Sequence, residues 1–322
     1  MTDLLSDEIP SFDEELKKLK KENSKLRLQL GLGKSLANEL DKQKKISEES
    51  RSIALAAEEK SSKLLELVMS SVNYASRLQR GQLPRQMRID GCFASFASIW
   101  EPRDTIGGDL YWLSSSQNQG SFVSAVADCT GHGVPGAMLS LLVSNSLERI
   151  YTNDTGEDPA TALMSLDHYV RTGLNQDRAD SESDDGCDAA VLRIDRDEKT
   201  IEFAGAKLGL FQVTAQGVLT RHQGSRCSLG YQDAVAEADK PILQKIPYQS
   251  GDVFAVVTDG FTDQIGGTTG KTSFGYRRLD EILKANYKAS AEEIAAAMKR
   301  EFAAWQGTNA RRDDVTAVVF RL

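Results

Sequence analysis

The sequence predicts an α+β protein, with antiparallel sheets covered by stacked helices and a long helical coiled coil in front of them. Three observations carry this. Residues 12 to about 80 form one proline-free stretch rich in Lys, Glu, Leu, Ser and Ala. Beyond Pro84 short β-type runs cluster with one another. The helical patterns between them come in pairs rather than alternating one-for-one with strands, which argues against a strictly parallel sheet.

In the first stretch Phe12, Leu16, Leu19, Asn23, Leu26 and Leu30 follow a 4-3-4-3-4 spacing, the a and d positions of a heptad. Asn23 takes an a position, where a buried amide sets register at a cost in stability. Gly31 and Gly33 are expected to interrupt the pattern, because glycine weakens a helix interior. A poorer stripe follows through Ile46, Ile53, Ala57, Leu64, Leu67, Tyr74 and Leu78, with Ser50, Lys60 and Ser71 at core positions. Unbroken, the segment would reach on the order of 100 Å. A seam so narrow would stay wet on a lone helix, so parallel dimerisation is expected, against the alternative of a helix folded back on the rest of the chain.

Strands are then expected at Gly91–Trp100, Ser121–Ala127, Ala189–Ile194, Thr200–Phe203, Leu208–Val213, Asp252–Val257 and Val315–Phe320. Helices are expected at Pro135–Tyr151, Pro159–Leu174, Tyr276–Ala285 and Ala291–Trp305. Pro135 and Pro159 suit a first turn, where a missing N–H costs nothing, and Ser290 with Glu293 forms a capping box. Asp177–Asp185 reads as an acidic surface loop. The domain reading is 1–11 disordered, 12–73 coiled coil, 74–90 junction helix and linker, and 91–322 the domain of sheets and paired helices.

A net charge of −8 disfavours binding to nucleic acid or an anionic membrane. No P-loop, zinc-finger or RNA-binding signature occurs. No apolar run approaches a membrane span, and the acidic N-terminus lacks the order of a signal peptide. Cys92, Cys129, Cys187 and Cys227 are widely spaced and read as free thiols, so a cytoplasmic protein is expected.

Four aspartate motifs lie where apolar runs begin or end: Gly107-Gly108-Asp109, Ala127-Asp128 leading into Cys129-Thr130-Gly131-His132-Gly133, Thr258-Asp259-Gly260, and Asp313-Asp314-Val315-Thr316. Singly they are weak, since Asp-Gly is above all a turn signal and Gly-Gly-Asp suits a hairpin. Together, carboxylates with glycine neighbours at strand ends can converge in a cleft that takes hard divalent cations. A pair of such cations can hold a phosphoryl group and acidify water. No histidine pair has metal-ligand spacing, which argues against a zinc hydrolase.

The ordered set, G-G-D-x-Y, A-D-x-T-G-H-G-V-P-G-A, T-D-G and D-D-V-T, resembles the PPM family of metal-dependent phosphatases, and most its bacterial SpoIIE/RsbU branch. The resemblance covers about residues 75 to 322, including the helix-to-proline run Tyr74–Pro84. It implies an α-β-β-α sandwich with a dinuclear Mn²⁺ or Mg²⁺ site at one edge. By motif position Asp128 would bridge both ions, the Cys129 carbonyl would be a further ligand, and Asp109 would act largely through water. Asp259 and Asp313 would hold one ion, with Asp314 the rival to Asp313. Water activated at that site would attack phosphoserine or phosphothreonine in one step. His132 resembles a candidate general acid, though eukaryotic relatives place histidine two residues after the aspartate and here it stands four after Asp128. A structural role in the Gly131–Gly133 turn is the alternative. Arg103 and Gly108 are candidate substrate-binding residues, while His168 and His222 match no motif.

The resemblance further implies a phosphorylated STAS-domain protein, an anti-anti-sigma factor of a partner-switching pathway, as substrate. The coiled coil would then be the regulatory input, and the junction helix would gate metal binding by packing against the scaffold of the aspartates. The rival readings are an inactive PPM-like phosphoprotein-binding module and a coiled-coil scaffold bearing a nucleotide phosphohydrolase.

Overall fold

A computed structural model describes residues 12–85, 89, 91–114, 120–152, 157–178, 180–268 and 270–322; the expected disordered segment 1–11 lies outside them. The chain divides into two compact units, Met1–Met69 and Ser70–Leu322.

The first unit is described as one element, the greater part of helix α1 (Phe12–Gln82). Asp13, Glu14 and Glu15 in its first turn complement the positive end of the helix dipole. The helix runs unbroken through Gly31 and Gly33, contrary to the expected interruption. Each glycine costs about 1 kcal/mol against alanine, which the flanking Leu and Lys residues, good helix formers, absorb. The heptad positions Leu19, Leu26 and Leu30 are exposed, and so are Ile53, Leu64 and Leu67 of the second stripe.

The second unit opens with the last turns of α1 and builds two five-stranded antiparallel sheets. One has the order β1 (Ser95–Glu101), β12 (Val315–Arg321), β9 (Val253–Val257), β6 (Leu210–Val213), β7 (Leu219–His222). The other runs β2 (Leu110–Leu113), β3 (Ser121–Cys129), β4 (Cys187–Asp195), β5 (Thr200–Ala206), β8 (Gln244–Pro247). A small ribbon joins β10 (Ile265–Gly266) to β11 (Thr272–Ser273). The sheets face each other across a core that includes Val126, Leu192, Phe203, Phe254, Val318 and Phe320. Helices α2 (Gly133–Thr152) and α3 (Pro159–Gly173) cover the second sheet. Helices α5 (Gly275–Ala285) and α6 (Ala291–Gln306) cover the first, and a four-residue helix, α4 (Asp259–Thr262), follows β9. The expected two-layered sandwich with flanking helix pairs is therefore present.

Local signals account for most boundaries. Asp158 caps α3 by accepting from the Ala160 and Thr161 N–H groups, and the Ser290/Glu293 capping box starts α6. Two expected strands begin late. Gly91 has φ 87° and β1 waits until Ser95, while a tight turn at Lys207 and Leu208 delays β6 to Leu210. Strands β2, β7 and β8 are additional to those expected, each four residues long and each at a sheet edge, as is the two-residue ribbon β10–β11. All four cysteines are free. Among the described residues no helix is long and apolar enough to cross a membrane.

Candidate metal centre

Antiparallel pairing brings the four motifs to one edge of the sandwich. Strands β2 and β3 are neighbours with Leu110 opposite Ala127, so Asp109 before one strand meets Asp128 near the end of the other. Strands β9 and β12 are also neighbours, which puts Asp259, just after β9, beside Asp313 and Asp314, just before β12.

The motifs interlock through their glycines. A Cβ at Gly108 would fall 2.6 Å from the Cys129 carbonyl oxygen and 2.8 Å from that of Gly131. A Cβ at Gly260 would overlap the Asp314 carbonyl oxygen. Glycine is required at both because the backbone of another motif occupies the space a side chain would need.

Asp109 is fully buried. Thr258 Oγ1 donates to its Oδ2 at 2.8 Å, and its Oδ1 meets no donor among the described residues. Burial raises its pKa to about 7; the Thr258 hydrogen bond opposes that rise and the Asp314 charge adds to it. Asp128 is also raised well above the ordinary carboxylate value, first by desolvation and then by Asp109, Asp259, Asp313 and Asp188. Burial, Asp313, Asp263 and Asp188 likewise raise Asp259. The Asp109 and Asp259 charges both act on Asp128, and carboxylates crowded in this way are eased only by a proton or a cation among them.

Asp313 and Asp314 differ sharply. Asp314 is buried, and its two oxygens accept from the backbone N–H groups of Arg103 and Gly108, each at 2.6 Å. Asp313 is exposed and acts electrostatically on Asp128 and Asp259, with its Oδ1 accepting from the Asp314 N–H. The Gly108 N–H, through which a glycine would meet a phosphate, is thus directed to Asp314. The Arg103 side chain is exposed and donates to the Arg312 carbonyl at 3.2 Å. His132 lies beside the cluster, its Nδ1 2.7 Å from Asp104 Oδ2 in a partly exposed pair.

The geometry adds residues that motif reading missed. Asp188 is paired directly across from Asp128 in the β3–β4 register, on the same face of the sheet. Thr258 orients Asp109. From the end of α1, buried Gln79 donates to the Gly107 carbonyl at 2.5 Å and to Ser140 Oγ at 2.9 Å, and its Oε1 accepts from the Gly107 N–H at 3.3 Å. One turn of the Gly-Gly-Asp loop is therefore clamped on both its polar groups by one side chain. Trp100 donates to the Asp109 carbonyl at 2.9 Å, and the Arg80 guanidinium lies 5.1 Å over its ring.

The residues fit a divalent-cation site. Among the described residues no three His, Cys, Asp or Glu side chains enclose a ready-made cation position, so the fit rests on pairs. In those pairs Asp109 is buried, Asp128 half-buried and Asp259 exposed; Asp109 and Asp259 both raise the pKa of Asp128, and one Asp109 oxygen lacks a donor among the described residues. Hard ions such as Mg²⁺ retain several waters and need few protein ligands.

A family model described as stage II sporulation protein E matches residues 118–322. The chain is similar to the SiaA-PP2C domain of Pseudomonas aeruginosa, with 30% identity over 80% of this chain and 98% of that one, at a TM-score of 0.70. It shares its fold with the phosphatase domain and regulatory fragment of SpoIIE from Bacillus subtilis (18% identity, 71% of this chain and 63% of that one, TM-score 0.54). The same holds for the RsbU and RsbW domains of a Mycobacterium tuberculosis protein (15%, 70% and 59%, TM-score 0.55). No curated protein sequence matches.

Proposed function

The chain belongs to the SpoIIE family of PPM-type protein phosphatases, and from that membership we propose that it hydrolyses phosphoserine or phosphothreonine on a STAS-domain protein at a dinuclear Mn²⁺ or Mg²⁺ site. The observation that carries this is the gathering of buried Asp109, half-buried Asp128 and exposed Asp259 at one edge, where Asp109 and Asp259 both raise the pKa of Asp128 and Asp109 Oδ1 lacks a donor among the described residues. Asp128 would be shared by both ions, with the Cys129 carbonyl, Asp109, Asp259 and Asp313 completing the set. Asp313 is favoured over Asp314 because the Asp314 oxygens already serve two backbone amides. When bound, the ions would offset charge on the phosphoryl oxygens and supply a nucleophile from water near neutral pH.

The protein groups have their own tasks. Thr258 fixes one Asp109 oxygen and leaves the other turned to the cluster. Asp314 holds the Gly107–Asp109 loop by its backbone. His132, oriented by Asp104, is the group from which a leaving alkoxide would take a proton. Partner switching is supported by the Mycobacterium tuberculosis neighbour, whose RsbU domain accompanies an RsbW domain. The exposed leucine seam of α1 supports dimerisation through a coiled coil, and the Gln79 clamp supports gating of the metal loop by the junction helix.

Purified chain with Mn²⁺ and a phosphorylated STAS-domain protein tests the reading. Phosphate release should require the metal and fall by about a thousandfold or more in Asp128→Asn; release that persists after chelation of divalent metal sinks it. Removing residues 1–60 should yield a monomer with an altered rate, and an unchanged oligomeric state and rate would end the regulatory part.

A further inference from the structure

The acidic edge has a cation beside it that the functional reading leaves unused. Lys207 stands in the turn between β5 and β6 with φ 57°, a left-handed conformation that is uncommon for a residue with a side chain. Glycine would be the cheap choice there, and the chain does place glycine two residues away on either side, at Gly205 and Gly209. The turn is tightly fixed: the Lys207 N–H donates to Ser225 O, Leu208 N–H to Ala206 O and Ser225 N–H to Gly205 O, each at 2.7 Å. A strained backbone held this firmly directs one side chain to one place. That place is Asp188, whose Oδ2 lies 3.4 Å from Lys207 Nζ, and Asp188 lies directly across from Asp128.

Neutralising Asp188 is too small a role for this arrangement. Asp188 Oδ1 already accepts from Ser228 Oγ at 2.6 Å. The Lys207 contact is long for a charge-assisted hydrogen bond, which prefers about 2.7–2.9 Å, and the lysine side chain is 52% exposed. Its backbone is anchored while its ammonium, held by one long contact, stays open to a second anion. Neighbouring cations are more committed. Arg221 is bound in a two-pronged pair with Asp280 and stacks on Phe211 and Tyr276, and Arg103 donates to a backbone carbonyl. Next to Lys207 lies a cleft of ≈ 210 Å³, lined also by Phe211, Arg221, His222, Val257 and Tyr276. It offers room for the chain flanking a phosphorylated residue.

We propose that Lys207 is a substrate-binding residue that holds the phosphoryl group of the phosphoprotein at the acidic edge, with Asp188 as its resting counter-ion; this rests on the phosphatase reading above. The ammonium would donate to a phosphoryl oxygen once the charge of the aspartate cluster is compensated, and the same contact would hold the phosphate product.

The full chain loaded with Mn²⁺ provides the test, with inorganic phosphate and a phosphoserine peptide as probes. Lys207→Gln should raise KM for the peptide and weaken calorimetric binding of inorganic phosphate, each by about tenfold or more. Mn²⁺ affinity and kcat should change far less, and Lys207→Arg should recover most of the loss. Asp188→Asn, which removes the competing carboxylate, should tighten phosphate binding. Unchanged phosphate affinity in Lys207→Gln overturns the proposal, as does a loss that merely follows weakened Mn²⁺ binding. Phosphate binding is read without turnover, so an inactive wild-type enzyme would sink the phosphatase reading and leave this result to stand or fall by itself.

Discussion

Helix α1 and the aspartate edge both hold side chains in the solvent that suits them least. Along α1, leucines such as Leu19, Leu26 and Leu30 lie in water. At the edge, Asp109 is a carboxyl removed from it, and half-buried Asp128 is crowded by like charges. The two deficits differ in kind. The helix spreads its deficit over many residues, each worth about 1–3 kcal/mol when covered, so a second copy could relieve it in small increments. The edge concentrates its deficit in a few like charges, which only protons or cations can relieve. The first region should therefore tolerate local change, while the second should not.

Glycine substitution sets this contrast most sharply. At Gly260 an added methyl would overlap the Asp314 carbonyl and press on Asp313 Cβ at 3.2 Å, and both backbones belong to the motif cluster. Gly260→Ala should cost about 3 kcal/mol in urea unfolding and abolish calorimetric Mn²⁺ binding. A variant with a wild-type urea midpoint and Mn²⁺ affinity would show that the four motifs do not interlock as described.

The next effect is a pH dependence confined to the edge. The Asp109 pKa rises from 3.8 to about 7 on folding. Between those values the folded protein holds a proton that the unfolded chain has released, so stability falls as pH rises. The slope reaches at most about 1.4 kcal/mol per pH unit for one such group. Metal-free protein should therefore lose stability from about pH 4 to pH 7, and this share should level off above pH 7. Asp109→Asn should remove that share, visible as a shallower dependence of Tm on pH, and saturating Mn²⁺ should raise Tm most at the upper end. Parallel profiles for wild type and variant would mean that Asp109 is not the strained group.

The same contrast explains what could be read from the residues alone. Asp109, Asp128 and Asp259 were legible because each stands where an apolar run meets a glycine, and Asp313 because it opens the last apolar run, all of them local patterns. The sandwich was legible because its central strands, β3, β4, β9 and β12, are continuous apolar runs. Asp188 obeys the same rule at the start of β4, but the acidic loop Asp177–Asp185 just before it hides the signal. Gln79 looks like any polar residue on a helix, and its importance exists only through Gly107, 28 residues away. The positive φ of Lys207 has no local marker. Asp314 could be separated from Asp313 only once the Arg103 and Gly108 amides were in place around it. What escaped was whatever depends on contacts between distant segments.

The smallest effect belongs to the helix and runs with the opposite sign. At Gly31 and Gly33 an added Cβ would meet nothing within 4 Å, and both residues already lie in helical backbone. Alanine there removes only glycine's entropic penalty, so each substitution should stabilise α1 by about 0.5–1 kcal/mol. The double variant should raise the thermal transition followed by circular dichroism at 222 nm. If the seam is covered by a second copy, it should also tighten dimerisation in sedimentation equilibrium, because the folded helix is the form that associates. A destabilised double variant would reveal that a neighbouring chain packs against these two positions, where a β-carbon has no room.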